Sequence, residues 1–355
     1  MAPARGPPVI DFADFLSGDE HRVQKCAQEI REACMTEGFF QIINHTAPSS
    51  VMKEILDMSK EFFNLPLEDK MKLDKSQNAY NRGYQRVGSQ IISKEAQKKP
   101  DLMEGFYVGR ELPPDHPQVE AGKFGSGPNL WPTKLGQPFR ETCMLYLQHM
   151  IEVAEQLLKA LAVSLGYEKN FFDEFCKDPM TFYKMLHYPP APPDDAAELQ
   201  QGLGSHRDFG CVTLLLQDGV PGLEYWDKTS KEWVPVQPVK DALVVNLGNM
   251  FMQWTNDQYV PFLLRLESLR SKADRVRYSS VVHRVINTTG AERYSIPFNF
   301  NGNPDFVISC LEKCRDKAED EKYSPVTVED FIRPQYSATY GRTGHYEVAP
   351  ATAEK

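Results

Sequence analysis

The chain has 355 residues, with 40 basic against 49 acidic side chains, a net charge of -9 and 41% hydrophobic residues. That balance supports a sizeable buried core and lies far from disorder, while the negative field repels nucleic acid phosphates and anionic membrane surfaces. The longest apolar runs, Cys211 to Leu216 and Ala242 to Val245, are too short to cross a bilayer of about 30 Å. Length fits two domains or one large barrel wrapped in helices.

The segment Met1 to Pro8 lacks the apolar stretch of a secretory signal, so a cytosolic protein is expected, without a membrane or an obligate protein partner. Seven cysteines, an odd number with no close CxxC pair, argue against a disulfide framework and a structural zinc site.

In chain order, Pro8 to Phe12 reads as a short strand, after which Ser17 or Asp19 caps a helix to about Met35 with Val23, Cys26, Ile30 and Cys34 at helical spacing. Phe39 to Ile43 is strand-like. A second amphipathic helix runs from about Ser50 to Phe63, ahead of Pro66. Residues 74 to 132, rich in Lys, Gly, Pro and Asn, predict loops with short strands. A long helix spans about Gly136 to Leu165, with Met144, Leu147, Ile151, Ala154, Leu158 and Leu161 on one face.

From Met180 to Asn301 the texture changes to short β-runs: Phe182 to Tyr188, Cys211 to Gln217, Leu223 to Trp226, Ala242 to Leu247, Tyr278 to Ile286 and Tyr294 to Phe300. Such strands without intervening helices pair antiparallel, as in a sandwich or jelly-roll barrel. A short helix from about Val326 to Ile332, stopped by Pro334, closes the pattern.

Within the β-rich part lies Gly204-Ser205-His206-Arg207-Asp208-Phe209-Gly210. In a strand, residues i and i+2 share a face, so His206 and Asp208 would present an imidazole and a carboxylate together. His283, in Val281-Val282-His283-Arg284-Val285, is the candidate third ligand. Two histidines and one carboxylate match the facial triad of non-haem iron(II) oxygenases, which leaves coordination positions open. Alone, H-x-D reads more readily as a surface strand with a solvated acid, and a lone His283 as a packed histidine.

Ten residues past His283, Arg293-Tyr294-Ser295 puts a guanidinium and a hydroxyl on one face, a receptor for a carboxylate inside an apolar barrel. A surface ion pair is the competing reading of Arg293. Tyr188 can add its phenol, or be a core tyrosine; His187 beside it faces the other way and is a poor ligand candidate.

Four regions together carry a family resemblance. They are Pro8-Val9-Ile10-Asp11 with Glu37 to His45; Asn81-Arg82-Gly83-Tyr84; Gly202 to Asp218; and His283-Arg284-Val285 with Arg293 to Phe298. Nearly the whole chain resembles the isopenicillin N synthase-like branch of iron(II)/2-oxoglutarate-dependent dioxygenases, especially fungal members that tailor secondary metabolites. The resemblance implies a mainly β fold with α, a distorted double-stranded β-helix (jelly roll) flanked by helices. Its parts would be a helical and loop region (1–179), the oxygenase core (180–301) and a C-terminal helix and tail (302–355).

The resemblance also implies iron ligands at His206, Asp208 and His283, and 2-oxoglutarate held by Arg293, Ser295 and Tyr188. O₂ is then the second co-substrate and ascorbate a reductant. A small-molecule substrate would be hydroxylated, desaturated or cyclised. Tyr84, Phe209 and Phe298 are candidate lining residues for an apolar or aromatic compound, and each is equally a core packing residue. Two other readings stay open: an oxidase of the same fold that needs no 2-oxoglutarate, and a non-catalytic binding protein.

Two departures stand out. Leu186 occupies a place where some plant relatives carry a polar residue. Asp208 and His283 are separated by 74 residues, more than is usual, because of an insert over Val260 to Arg275. The insert reads either as a surface element or as a retained intron, and is expected at about 20 Å or more from the metal.

Overall fold

The computed structural model describes residues 6–92, 99–190, 201–227, 230–257, 281–315 and 322–340. The insert at 260–275 and the start of the expected 278–286 strand lie outside the described residues.

Strand β1 (Val9–Asp11) leads through α1 (Ala13–Leu16) into α2 (Glu20–Thr36). Asp19 caps α2, its carboxylate accepting from the Arg22 amide at 2.9 Å, and the stripe Val23, Cys26, Ile30 and Cys34 is buried as the spacing predicts. After Gly38, β2 (Phe39–Ile43) runs parallel to β1, and α3 (Ser49–Phe63) and α4 (Leu67–Met71) follow. The loop-rich stretch contains β3 (Gly83–Gln85), β4 (Glu104–Gly109) and α5 (Pro117–Glu120).

Helix α6 (Gly136–Ser164) is the central helix. Its buried face contains Leu147, Ala154, Leu158 and Leu161 of the expected stripe and adds Phe139, Cys143, Tyr146, Met150, Val153 and Leu157, while Met144 and Ile151 sit partly buried at its flank. The face is wider than one stripe because α2, α3 and the large sheet all pack against this helix.

A short α7 (Asp173–Cys176) precedes the β-rich part: β5 (Thr181–Tyr188), β6 (Leu203–His206), β7 (Val212–Gln217), β8 (Leu223–Asp227), β9 (Glu232–Pro235) and β10 (Leu243–Leu247). Helix α8 (Asn249–Trp254), β11 (His283–Val285), β12 (Arg293–Phe300), β13 (Val307–Ile308), β14 (Val326–Thr327) and α9 (Val328–Tyr340) complete it. Helix α9 runs through Pro334 rather than stopping there. Pro334 faces solvent, where the carbonyl it leaves unpaired can be hydrated, while Ile332 and Tyr336 on either side are buried and hold the helix down.

Two sheets form the jelly roll: an eight-stranded one in the order β1-β2-β10-β7-β12-β5-β4-β3 and a four-stranded one in the order β6-β11-β8-β9. The pleat divides the large sheet into two environments. One face, with Tyr84, Phe106, Met185, Ile296 and Phe298, packs with α3 and α6 into the main core. The other, with Phe39, Leu186, Tyr188, Leu215 and Val244, meets Leu223, Tyr225, Val234 and Val285 of the small sheet in a second core. Among the described residues no helix is long and apolar enough to cross a membrane.

Phe298 is 0% exposed at the centre of the helix-facing core. Phe298→Ala should cost about 3–5 kcal/mol in urea unfolding, the usual range for a buried phenylalanine.

Candidate metal centre

His206 ends β6 and His283 begins β11, and the register of these antiparallel neighbours sets the two residues directly opposite each other. Cross-strand partners share a face. Their rings therefore meet, with centroids 4.2 Å apart. Each Nδ1 faces a backbone carbonyl oxygen, His206 that of Gly204 at 2.8 Å and His283 that of Val281 at 3.1 Å. A ring nitrogen facing a carbonyl must carry the proton, so both Nε2 atoms keep a lone pair for a metal.

Asp208 is not on a strand, contrary to the expected i, i+2 pairing, because β6 stops at His206. Its turn is tied instead to the start of α8: the Asn249 amide donates to the Asp208 carbonyl at 2.9 Å, Met250 to Phe209 at 3.1 Å, and Gly248 to Cys211 at 2.9 Å. Gly248 makes this approach possible, since a Cβ there would lie 2.0 Å from the Gly210 carbonyl oxygen.

The Asp208 carboxylate is divided between two tasks. Oδ2 accepts from the Thr213 hydroxyl at 2.6 Å and the Asn246 amide at 2.7 Å. Oδ1 stands 3.9 Å from Nε2 of both histidines. Adjacent donors bound to one ion at about 2.1 Å lie about 3 Å apart, so a shared ion would draw these atoms together by roughly 1 Å. One ligand atom from each of His206, Asp208 and His283 lies within 4.8 Å of the others. Burial alone would raise the Asp208 carboxyl, but the two imidazoles and its two donors bring it down to about 2. Burial, with the neighbouring His283, lowers His206 to about 3. The site thus holds one anion and a neutral imidazole, suited to a divalent cation.

Arg293, Ser295 and Tyr188 also come together. Arg293 is opposite Tyr188 in the β12–β5 register and its guanidinium lies 5.1 Å from that ring. Arg293 is 0% exposed, which removes the surface ion-pair reading. Its donors go to the Val220 carbonyl (3.2 Å), the Ser295 hydroxyl (3.2 Å) and the Gln217 carbonyl oxygen (2.9 Å), all neutral, and among the described residues no acid forms an ion pair with it. A buried guanidinium with only neutral partners is matched to an incoming carboxylate. Gln217 adds a buried Nε2 beside it, with no partner among the described residues.

A cavity of about 340 Å³ adjoins the triad, lined in part by Phe209, Leu186, Lys184, Asn299 and Tyr107. Of the three candidate lining aromatics only Phe209 reaches it. Phe298 points to the helix-facing core because it lies an odd number of residues from Ser295. Tyr84 pairs with Phe106 on that same face, and its hydroxyl donates to Glu104 at 2.6 Å. His187, also on that face, meets Glu104 at 2.9 Å and takes no part in the triad. The cavity wall combines apolar Met103, Leu186 and Phe209 with polar Gln90, Asn249 and Asn299.

Thr213, Asn246 and Gln217 were not singled out by sequence, although Thr213 and Asn246 are lone polar residues inside the apolar runs 211–216 and 242–247. Thr213→Val should weaken divalent metal binding about 10–100-fold, as loss of a partner behind a ligand does, and Mn(II) titration of the apoprotein measures it.

The 2OG-Fe(II) oxygenase superfamily profile matches residues 178–302, and that of the N-terminal region of non-haem dioxygenases in morphine synthesis matches residues 7–134. A 2-oxoglutarate-Fe(II) type oxidoreductase, hxnY, of Emericella nidulans is 44% identical over 98% of this chain and 94% of its own. The clavatol oxidase claD of Penicillium crustosum is 34% identical over 94% of this chain and 96% of its own. In structure, a full-length Neurospora crassa protein in complex with alpha-KG and thymine superposes with a TM-score of 0.78 at 26% identity, covering 94% of this chain and 97% of that one. With the triad and the buried arginine in place, these matches show that the chain belongs to the 2OG-Fe(II) oxygenase superfamily and is an Fe(II)- and 2-oxoglutarate-dependent dioxygenase.

Proposed function

We propose that His206, Asp208 and His283 hold the ferrous ion, that Arg293, Ser295 and Tyr188 with Gln217 bind the distal carboxylate of 2-oxoglutarate, and that the enzyme oxidises a small secondary metabolite in the cytosol. The observation that carries the site assignment is the convergence of two Nε2 lone pairs and Asp208 Oδ1 beside a buried guanidinium with neutral partners. When bound, the ion supplies the O₂ chemistry that couples conversion of 2-oxoglutarate to succinate and CO₂ with oxidation of a substrate C–H bond.

The chain's own groups prepare that chemistry. Nδ1–H bonds to Gly204 and Val281 orient the two imidazoles, and Thr213 and Asn246 hold Asp208 Oδ2 so that Oδ1 is presented to the ion. Leu186, Leu215 and Val285 form an apolar wall in the core between the sheets, where the carboxylate anchor is shielded from water. A dry setting strengthens the guanidinium–carboxylate contact. The family's fungal members support the metabolic setting, and seven cysteines outside any disulfide suit a reducing compartment.

Arg293→Leu should raise KM for 2-oxoglutarate on the order of 100-fold, since removing one side of a buried, hydrogen-bonded charge pair costs about 2–5 kcal/mol. Succinate release measures this, and Fe(II) binding should stay as in the wild type. Unchanged KM, or turnover without 2-oxoglutarate, would favour the oxidase reading.

A further inference from the structure

One polar group on the cavity wall has its orientation dictated by the metal site. An ionised Asp208 can only accept, so Thr213 gives its hydroxyl proton to Asp208 Oδ2 at 2.6 Å, and the Thr213 oxygen accepts from Asn299 Nδ2 at 3.0 Å. The Asn299 amide therefore cannot flip, because its carbonyl would then face an oxygen with no proton left to give. Its Oδ1 has no partner among the described residues, although Asn299 is 9% exposed and lines the cavity. A buried acceptor without a donor is costly, and an N–H brought by a ligand would satisfy it.

Asn299 lies on the same face of β12 as the carboxylate anchor. It is four residues beyond Ser295, about 13 Å along the strand, and opposite Thr213 in the β12–β7 register. Asn301, two residues further on and 1% exposed, also lines the cavity and leaves its Nδ2 without a partner among the described residues.

A third amide is oriented by a separate chain. Gln85 Oε1 accepts from the Tyr107 hydroxyl at 2.6 Å and from Lys75 Nζ at 3.2 Å, so Gln85 Nε2 donates to Gln90 Oε1 at 2.8 Å. The group that remains to Gln90, on the cavity wall, is its NH₂. Lys184 and Arg207 line the cavity too, but each has an interaction of its own. The wall thus offers a ligand one neutral acceptor and two neutral amide donors.

That set is the complement of one chemical group. A secondary amide carries a single N–H and a carbonyl oxygen with two lone pairs. Its apolar part would meet Phe209 and Tyr336, which line the cavity with ring centroids 6.0 Å apart at 73°. A volume of about 340 Å³, at the small end for ligand sites, admits a ligand of ring size.

We propose that the oxidised substrate is a small, neutral secondary amide, a lactam or an N-substituted ring carboxamide, whose N–H docks on Asn299 Oδ1 and whose carbonyl accepts from Gln90 and Asn301. Resting on the site assignment above, this deepens it by naming the substrate class. Asn299 and Gln90 are then specificity-determining residues, and Asn299 ties the substrate contact to Asp208 through Thr213.

The test is calorimetric binding to the full-length protein loaded with Fe(II) and 2-oxoglutarate under argon. The probes are 2-piperidone and N-methylbenzamide, against 1-methyl-2-piperidone and N,N-dimethylbenzamide, which lack the N–H, and against benzoate, which is an anion. The N–H amides should bind at least about fivefold more tightly than their methylated forms, as one buried hydrogen bond provides, and more tightly than benzoate. Asn299→Leu should erase the N–H preference. Gln90→Met, outside the relay to the metal, should weaken both forms about fivefold, keep the N–H preference and bind 2-oxoglutarate as the wild type does. Equal binding of N–H and methylated forms, tighter binding of benzoate, no binding of any amide, an N–H preference that survives Asn299→Leu, or unchanged amide affinity in Gln90→Met would overturn the proposal. Should Asn299→Leu fail to hold the metal, the wild-type pairs and Gln90→Met still decide. Failure of the co-substrate assignment shows separately, as unimpaired 2-oxoglutarate binding by Arg293→Leu.

Discussion

Asp208 must give one oxygen to a metal and keep the other from it, and the surrounding fold is arranged around that division. A buried carboxylate is costly unless donors or a cation compensate it. Thr213 and Asn246 supply two donors to Oδ2, and the proposed ion supplies the cation at Oδ1. Thr213 lies on β7 and Asn246 on β10, paired across the strands, while the Asp208 turn is pinned to α8. The metal geometry therefore depends on the large sheet as well as on the small sheet that carries both histidines.

The relay continues outward. Because Thr213 donates its hydroxyl proton to Asp208, its oxygen is left to accept from Asn299 Nδ2 at 3.0 Å. That sets the Asn299 amide, a cavity-lining group, from the metal side. One face of a pleated sheet so carries the carboxylate anchor and the support for the metal ligand, while the opposite face carries the main core. Stability and chemistry are separated by the alternation of side chains along the strands.

That alternation also explains which features were legible in the sequence. Residue type and motif were enough to find His206, Asp208 and His283, and the i, i+2 rule placed Arg293 with Ser295. The same rule, applied from Ser295, turns Phe298 away from the site, so its proposed lining role conflicted with information already present. Tyr84 is different: its orientation depends on the register of β3 with β4, a pairing no local pattern specifies. Pro334 misled because the helix-breaking rule is local, whereas the burial of Ile332 and Tyr336 that sustains α9 is not.

The most direct measurement of the central claim is anomalous scattering at the iron edge from crystals grown anaerobically with Fe(II) and 2-oxoglutarate. One iron peak is expected within bonding distance of His206 Nε2, Asp208 Oδ1 and His283 Nε2, with Asp208 Oδ2 still held by Thr213 and Asn246. An iron peak elsewhere in the molecule, or one that lacks any of these three ligands, would contradict it.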